Sequence, residues 1–190
     1  MDAGCFPDAA FEASARDRTT YYFDPWHRMR VGWSKTQVHN VEMGTFNTLI
    51  YAPQIPNRTQ ALIVYDPSRY DIEKKRGEFF LLEYRSSAQG GYDSNVFFSN
   101  ESVQKRGLVI CQVEQDENGS LLVSPINRVH YSSFTKDHDR GGIRPWQISD
   151  DKIELKYVNR ETTDEKYNSK IAVSIVSQSA GSMQIKVDLK

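Results

Sequence analysis

The sequence has little cysteine and no excess of charge of either sign. Only Cys5 and Cys111 are present among 190 residues, too few and too far apart for a zinc knuckle or a disulfide framework. At most they form one bridge, and two small buried thiols are the preferred interpretation. The 24 Lys and Arg residues balance 25 Asp and Glu residues. Because nucleic-acid-binding proteins usually carry a clustered basic excess, we expect no nucleic-acid partner.

A membrane-spanning run and a secretory signal are also missing. Hydrophobic residues make up 38% and charged residues 26% of the chain, which fits neither a membrane span nor disorder. Residues 1–11 lack the basic start and the apolar stretch of a signal peptide. The length predicts one domain with a buried core, or one domain and a fragment of another.

Recognisable catalytic and metal-binding motifs are missing as well. The four histidines are scattered, and no pair has the helical i, i+4 spacing that places two imidazoles on one metal. Cys111 lies in an apolar run, where a thiol is usually inert. Glu83 and Glu114 could be a glycosidase pair, but acids at strand ends are ordinary and more common. We therefore predict no catalytic residue and no metal ligand in this chain.

The N-terminal region contains one strong helix signal. Asp24 can accept from exposed backbone amides, and Pro25 suits the first helical position. We predict a helix over 24–33 that buries Trp26 and Trp33, leaves its arginines in water and stops near a glycine.

Beyond residue 38, short segments rich in β-branched and aromatic residues alternate with turn residues, which predicts a mainly β protein. Continuous apolar runs within 79–82 and 108–110 are typical of central strands. Asn118-Gly119 predicts one hairpin turn, and 177–181 predicts another. The predicted strands are 46–51, 61–65, 79–85, 108–114, 121–124, 153–158, 171–176 and 183–189. The predicted fold is an antiparallel β-sandwich-like domain.

Two long connections, 86–106 and 130–149, are where a surface site is most expected. The candidate surface or binding residues at or near them are Arg85, Tyr92, Asp93, His138 and Trp146. Exposed aromatic rings there, Tyr84 among them, would offer a platform for a glycan or a peptide. Three Asn-x-Ser/Thr sequons begin at Asn57, Asn100 and Asn118, but chance matches are common.

Several strings resemble, in order, the later part of the immune-inhibitor-A-like zinc metallopeptidase family. Residues 77–85 (GEFFLLEYR) are similar to the family's EYFLLENR strand, and 107–114 (GLVICQVE) to its GLLIWHVD strand. Residues 91–93 (GYD) match a family loop, and 24–33 (DPWHRMRVGW) resemble the helix that follows the family's active site. Met1, in MDAG, resembles the methionine of the Met-turn beneath the zinc.

The resemblance implies a fragment of a secreted, extracellular peptidase. The family's zinc and its general base come from a His-Glu-x-x-His motif, which this sequence lacks. Tyr84 and Gln112 also depart from the family pattern, where Asn and His are usual. Residues 1–37 would be a remnant of the catalytic domain, and 38–190 a β-rich C-terminal domain.

Two functional hypotheses follow. In the first, the chain is a truncated, non-catalytic part of the peptidase, inactive alone and without a cofactor, with zinc implied only for a full-length parent. Its partners are then the upstream catalytic domain or a peptide or protein substrate. In the second, the chain is a stand-alone β-sandwich module that binds a glycan or a protein through its two long loops.

Overall fold

The computed structural model describes residues 25–86, 106–116, 121–126, 128–129, 142–143, 146, 148, 152–158 and 165–190. Predictions that involve Met1, Tyr92, Asp93, His138 and the Asn118-Gly119 turn lie outside these residues.

The described residues are mainly in β-strands. One helix, α1 (Pro25–Arg30), comes first, and a short 3-10 turn (Val41–Met43) follows the first strand. The strands are β1 (Lys35–Asn40), β2 (Phe46–Tyr51), β3 (Thr59–Tyr65), β4 (Tyr70–Asp71), β5 (Arg76–Ser86), β6 (Arg106–Gln115), β7 (Leu121–Pro125), β8 (Arg128–Val129), β9 (Gly142–Ile143), β10 (Ile153–Val158), β11 (Glu165–Gln178) and β12 (Ser182–Leu189).

These strands form two main sheets that pack face to face. Sheet A has the order β1-β3-β5-β6-β7, with β4 paired to one end of β5. Sheet B has the order β10-β11-β12-β2, and β8 pairs separately with β9. All described pairings are antiparallel except that of β1 with β3, which is parallel. The prediction of an antiparallel β-sandwich-like domain is confirmed, with this one parallel pair as an addition.

Alternation along β5 and β6 divides sheet A into two faces. Successive side chains of a strand point to opposite sides, so Phe80, Leu82 and Tyr84 face sheet B and the main core. Phe79 and Leu81 face the other way, into a second apolar cluster beneath α1. Apolar residues on both faces explain the continuous hydrophobic runs in the sequence, which correctly indicated central strands.

The helix is shorter than predicted and faces the sheet differently. It ends at Arg30, and the amides of Gly32 and Trp33 donate to the carbonyls of Met29 and Arg28 at 3.1 and 2.8 Å. With Gly32 at φ 76°, this is a Schellman cap. Trp33 follows the cap and is 65% exposed, whereas Arg28 is buried. The prediction that Trp33 is buried is therefore wrong, and so is the prediction that Arg28 is solvated.

The turn from β4 into β5 forces a close backbone approach. Asp71 Oδ1 accepts from the amides of Glu73 and Lys74 at 3.1 and 3.0 Å, which fixes the turn. The backbone of Gly77 lies directly against that of Arg69, and Gly77 has a positive φ of 119°. A Cβ at Gly77 would lie 1.9 Å from the Arg69 carbonyl oxygen. A glycine is required at this point because any larger residue would overlap with backbone atoms.

All eight predicted strands are present, most of them longer by a few residues at one or both ends. The antiparallel pairing of β11 with β12 confirms the hairpin predicted at 177–181. β6 and β7 pair as the other predicted hairpin requires, while its turn at Asn118-Gly119 lies outside the described residues. β1 was not predicted, and it begins at Lys35, within the segment assigned to the catalytic remnant. Among the described residues, no helix is long and apolar enough to cross a membrane.

Candidate functional site

Three charged residues meet on the outer face of sheet A, beneath α1. Glu83 and Arg85 lie on that face of β5, in line with Phe79 and Leu81, and Arg28 reaches them from the helix. Arg28 Nη2 pairs with Glu83 Oε2, and Arg85 Nε donates to Glu83 Oε1. Each carboxylate oxygen is thus engaged by a different guanidinium. We call Arg28, Glu83 and Arg85 the outer-face charge cluster.

The cluster is almost entirely removed from solvent. The exposed fractions are 2% for Arg28 and 1% each for Glu83 and Arg85. Glu83 is paired across the sheet with Ala61 on one side and Val109 on the other. Because the surroundings are apolar, the ion pairs are screened less than they would be at the surface, and the loss of one partner would leave a buried charge.

Apolar packing brings the helix to this position. Trp26 of α1 lies over β5 with its ring 5.8 Å from that of Phe79, at an interplanar angle of 45°. Met29 also packs against the apolar cluster on this outer face, which contains Phe79 and Leu81. Trp26 and Met29 are three positions apart on a helix, so they share a face, and Arg28 lies between them in sequence. Packing of Trp26 and Met29 holds α1 against β5, and Arg28 of the same short helix lies close enough to pair with Glu83.

This arrangement is suited to anchoring rather than to catalysis. A general base or a nucleophile must reach substrate or water, and both oxygens of Glu83 are instead engaged within a buried face. Arg85, a predicted surface or binding residue, is buried in the same cluster. What the cluster does is fix α1 to the centre of sheet A.

The outer face also contains a disulfide. Cys111 of β6 lies opposite Leu81 of β5, is fully buried and is disulfide-bonded. The expectation of a free, inert thiol is wrong for Cys111, although its burial was expected. The chain has one other cysteine, Cys5, which lies outside the described residues.

A second polar cluster links the two sheets near the N-terminal end of β5. Tyr167 of β11 donates to Glu78 Oε2 at 2.5 Å, and the Arg69 guanidinium lies 3.7 Å from the centre of the Tyr167 ring. The Tyr157 ring lies 4.9 Å from that of Tyr167. Burial raises the pKa values of the Tyr157 and Tyr167 phenols well above the ordinary value of a tyrosine. The hydrogen bond to Glu78 raises the pKa of Tyr167 further. The Tyr157 hydroxyl donates to the Glu78 carbonyl at 3.4 Å. Both hydroxyls therefore stay protonated and act as donors that join sheet B to sheet A.

Tyr84 and Trp146, the described residues of the predicted aromatic platform, do not form an exposed surface. Tyr84 is fully buried, and its hydroxyl donates to the Ser179 carbonyl at 2.5 Å, which ties sheet A to the turn between β11 and β12. Trp146 is partly buried against the main core, and its backbone exchanges hydrogen bonds with Leu108 at 2.9 and 3.0 Å. Met1, Tyr92, Asp93 and His138 lie outside the described residues, so their predicted roles stay predictions.

The glycosidase alternative is excluded by register. Glu114 pairs with Glu78, on the face of β5 that is turned toward sheet B, whereas Glu83 lies on the opposite face. Five positions along β5 separate Glu78 from Glu83, about 17 Å in an extended strand. The two carboxylates of a glycosidase lie about 5 to 9.5 Å apart on one site, so Glu83 and Glu114 cannot act together.

Metal binding has no basis in the part of the chain that is described. These residues contain no group of three or more His, Cys, Asp or Glu side chains that could hold a metal ion. The described residues therefore offer no ligand set for the zinc of the resembled family.

Sequence patterns did not reveal the two polar clusters. Arg28 resembles any solvated helix arginine, and Tyr167 and Glu78 are far apart in sequence. The one available signal was Glu83-Tyr84-Arg85 at the end of an apolar strand, where charges in a central strand require buried partners.

No protein-family model, no curated protein and no solved structure matches the chain.

Proposed function

We propose that this chain is the non-catalytic β-rich part of a secreted zinc metallopeptidase resembling the immune-inhibitor-A-like family. In this role the sandwich supports a catalytic domain, and the parent protein hydrolyses peptide bonds. The chain alone has no peptidase activity.

The observation that carries the proposal is the outer-face charge cluster. Residues 24–33 resemble the helix that follows the family's active site, and α1 lies within that segment. Arg28 of α1 pairs with Glu83 on the central strand of sheet A, beside the disulfide-bonded Cys111. A helix held at the centre of a sheet by a buried ion pair gives whatever part of the protein contacts it a rigid base.

Two measurements test this proposal on the chain as it exists. Elemental analysis gives the metal content of the purified chain, and casein hydrolysis is followed with and without a chelator. We expect no bound zinc and no hydrolysis. Stoichiometric zinc together with chelator-sensitive hydrolysis would overturn the non-catalytic role.

A third measurement tests the supporting role directly. If the coding sequence upstream of this chain contains an in-frame His-Glu-x-x-His segment, the two parts are expressed together and assayed for chelator-sensitive hydrolysis. We expect activity with the wild-type chain, less with Glu83→Gln, and undiminished activity with Glu73→Gln at an exposed position. The absence of such a segment, or defined glycan binding by the isolated chain on a glycan array, would favour the stand-alone module instead.

A further inference from the structure

The turn that leads into β3 presents one of the three sequons at the protein surface. Asn57, Arg58 and Thr59 satisfy the Asn-x-Ser/Thr pattern with a residue other than proline in the middle. Asn57 is exposed, with φ 59°, a left-handed conformation that asparagine tolerates better than most residues. The acceptor side chain is therefore at the tip of a turn rather than within a strand.

The base of this turn is held in place by buried contacts. The buried Gln60 donates from Nε2 to the carbonyls of Pro53 and Ile55 at 3.0 and 2.8 Å. The Ile55 amide donates to the Ala52 carbonyl at 2.9 Å. A large group on Asn57 would extend into solvent without displacing any of these contacts.

Arg58, the middle residue of the sequon, is directed back toward the protein. Its guanidinium lies 5.6 Å from the centre of the Tyr51 ring, on the last residue of β2. Thr59 is partly buried where β3 begins. Of the three sequon residues, Asn57 is thus the one whose side chain is both exposed and chemically suited to carry a substituent.

An independent observation is consistent with an oxidising compartment. Cys111 is disulfide-bonded in the central strand β6. Disulfides form and persist in oxidising environments, among them the secretory pathway of eukaryotic cells, where asparagine-linked glycans are attached.

We propose that Asn57 is an acceptor for an asparagine-linked glycan. The donor is an oligosaccharide carried on a polyprenyl pyrophosphate and transferred by the host's enzyme. The bond from the sugar C1 to the pyrophosphate oxygen breaks, and a bond from C1 to Asn57 Nδ2 forms. The amide loses one proton, and the polyprenyl pyrophosphate leaves. The proposal rests on the turn and on the disulfide, not on the peptidase-supporting role.

The test is site-resolved mass spectrometry of the chain secreted from insect or mammalian cells. Chymotrypsin is used because trypsin would cut within the sequon after Arg58. The peptide containing Asn57 is compared before and after peptide N-glycosidase treatment in heavy-oxygen water, which marks each formerly glycosylated asparagine as a labelled aspartate. We expect this peptide to carry glycan in most molecules. The label must fall on Asn57 itself, which separates it from the sequons at Asn100 and Asn118.

Matched variants separate modification from misfolding. Asn57→Asp removes the acceptor amide but tolerates the same backbone conformation, so the glycan should be lost while the circular dichroism spectrum is unchanged. Thr59→Ser preserves the sequon and should preserve occupancy. Formation of the Cys111 disulfide in the same sample reports passage through an oxidising compartment. Folded, disulfide-bonded protein whose Asn57 peptide is entirely unmodified would overturn the proposal.

Discussion

Arg28 of α1 and Glu83 of β5 form a buried ion pair that joins the N-terminal helix to the centre of sheet A. The pair lies between apolar neighbours, and Arg85 engages the second carboxylate oxygen. One glutamate therefore holds two buried guanidinium groups, and its removal would affect the helix and the sheet together.

Glu83→Gln should destabilise the protein strongly. The substitution nearly preserves shape but removes the negative charge that compensates Arg28 and Arg85, and breaking a buried ion pair typically costs about 3 to 5 kcal/mol. Urea unfolding of both proteins gives the difference in the free energy of unfolding. The exposed Glu73→Gln is the matched control and should change stability by less than about 0.5 kcal/mol. Equal stability of the two variants would contradict a stabilising role for the cluster.

Gly77→Ala should destabilise the fold by at least about 3 kcal/mol, because the new Cβ would overlap with the Arg69 carbonyl as well as disfavour the positive φ. Gly44→Ala isolates the second effect. Gly44 also has a positive φ, of 88°, but a Cβ there has no neighbour within 4 Å, so the expected cost is about 1 to 2 kcal/mol. Thermal unfolding of the two variants should rank them in this order, and the reverse order would be inconsistent with the close approach.

Stability should fall on mild acidification because of His39. This residue is buried, its ring is stacked 4.6 Å from that of Phe46, and Nε2 is 3.1 Å from the Gly44 carbonyl oxygen. Burial lowers the pKa of His39 below its ordinary value of 6.5, an effect that the bond to Gly44 only partly offsets. The unfolded chain therefore takes up the proton first. The stabilisation is present above pH 6.5 and is lost as the pH falls through the lowered pKa.

Melting temperatures at a series of pH values from 7.5 to 5 should display this loss. His39→Gln, which cannot titrate, should show a smaller decrease over the same range than the wild type does. Parallel pH profiles for the two proteins would assign the acid sensitivity to other groups.

The disulfide at Cys111 makes a separate prediction. Unfolded but unreduced protein should contain no free thiol, and a linked peptide pair should join Cys111 to Cys5, the other cysteine of the chain. Reduction should lower the free energy of unfolding by about 2 to 5 kcal/mol. Thiol titration and non-reducing peptide mapping check the first point, and urea unfolding with and without reductant checks the second. Two titratable thiols in material purified without reductant would contradict the bond.

The strands were predicted well because each is marked by a run of apolar and β-branched residues within its own segment of the sequence. The apolar residues 79–82 require burial on both faces wherever the strand lies, and β5 is central in sheet A. β1 was missed because Lys35–Asn40 contains one strongly apolar residue, Val38, and its strand character depends on parallel pairing with β3. Edge strands of this kind are determined by their partner rather than by their own composition.

The site was less predictable because it depends on contacts between distant parts of the chain. Arg28 was assigned to solvent as a polar residue on a helix, and only the packing of α1 over β5 brings it to Glu83. Trp33 was assigned to the interior because it is apolar, yet it follows the helix cap and is exposed. Polarity alone predicts neither outcome, since burial of a charge is decided by whether an opposite charge meets it.

The position of β2 has a consequence for how the protein folds. β2 is near the start of the described chain, but among the described strands it pairs only with β12, the last of them. During synthesis the hydrogen bonds between β2 and β12 cannot form until β12 has also been made, and the closure of so long a loop slows folding. Sheet B is therefore completed only after β12 has been synthesised, and the loss of β12 by truncation would leave β2 without its described partner.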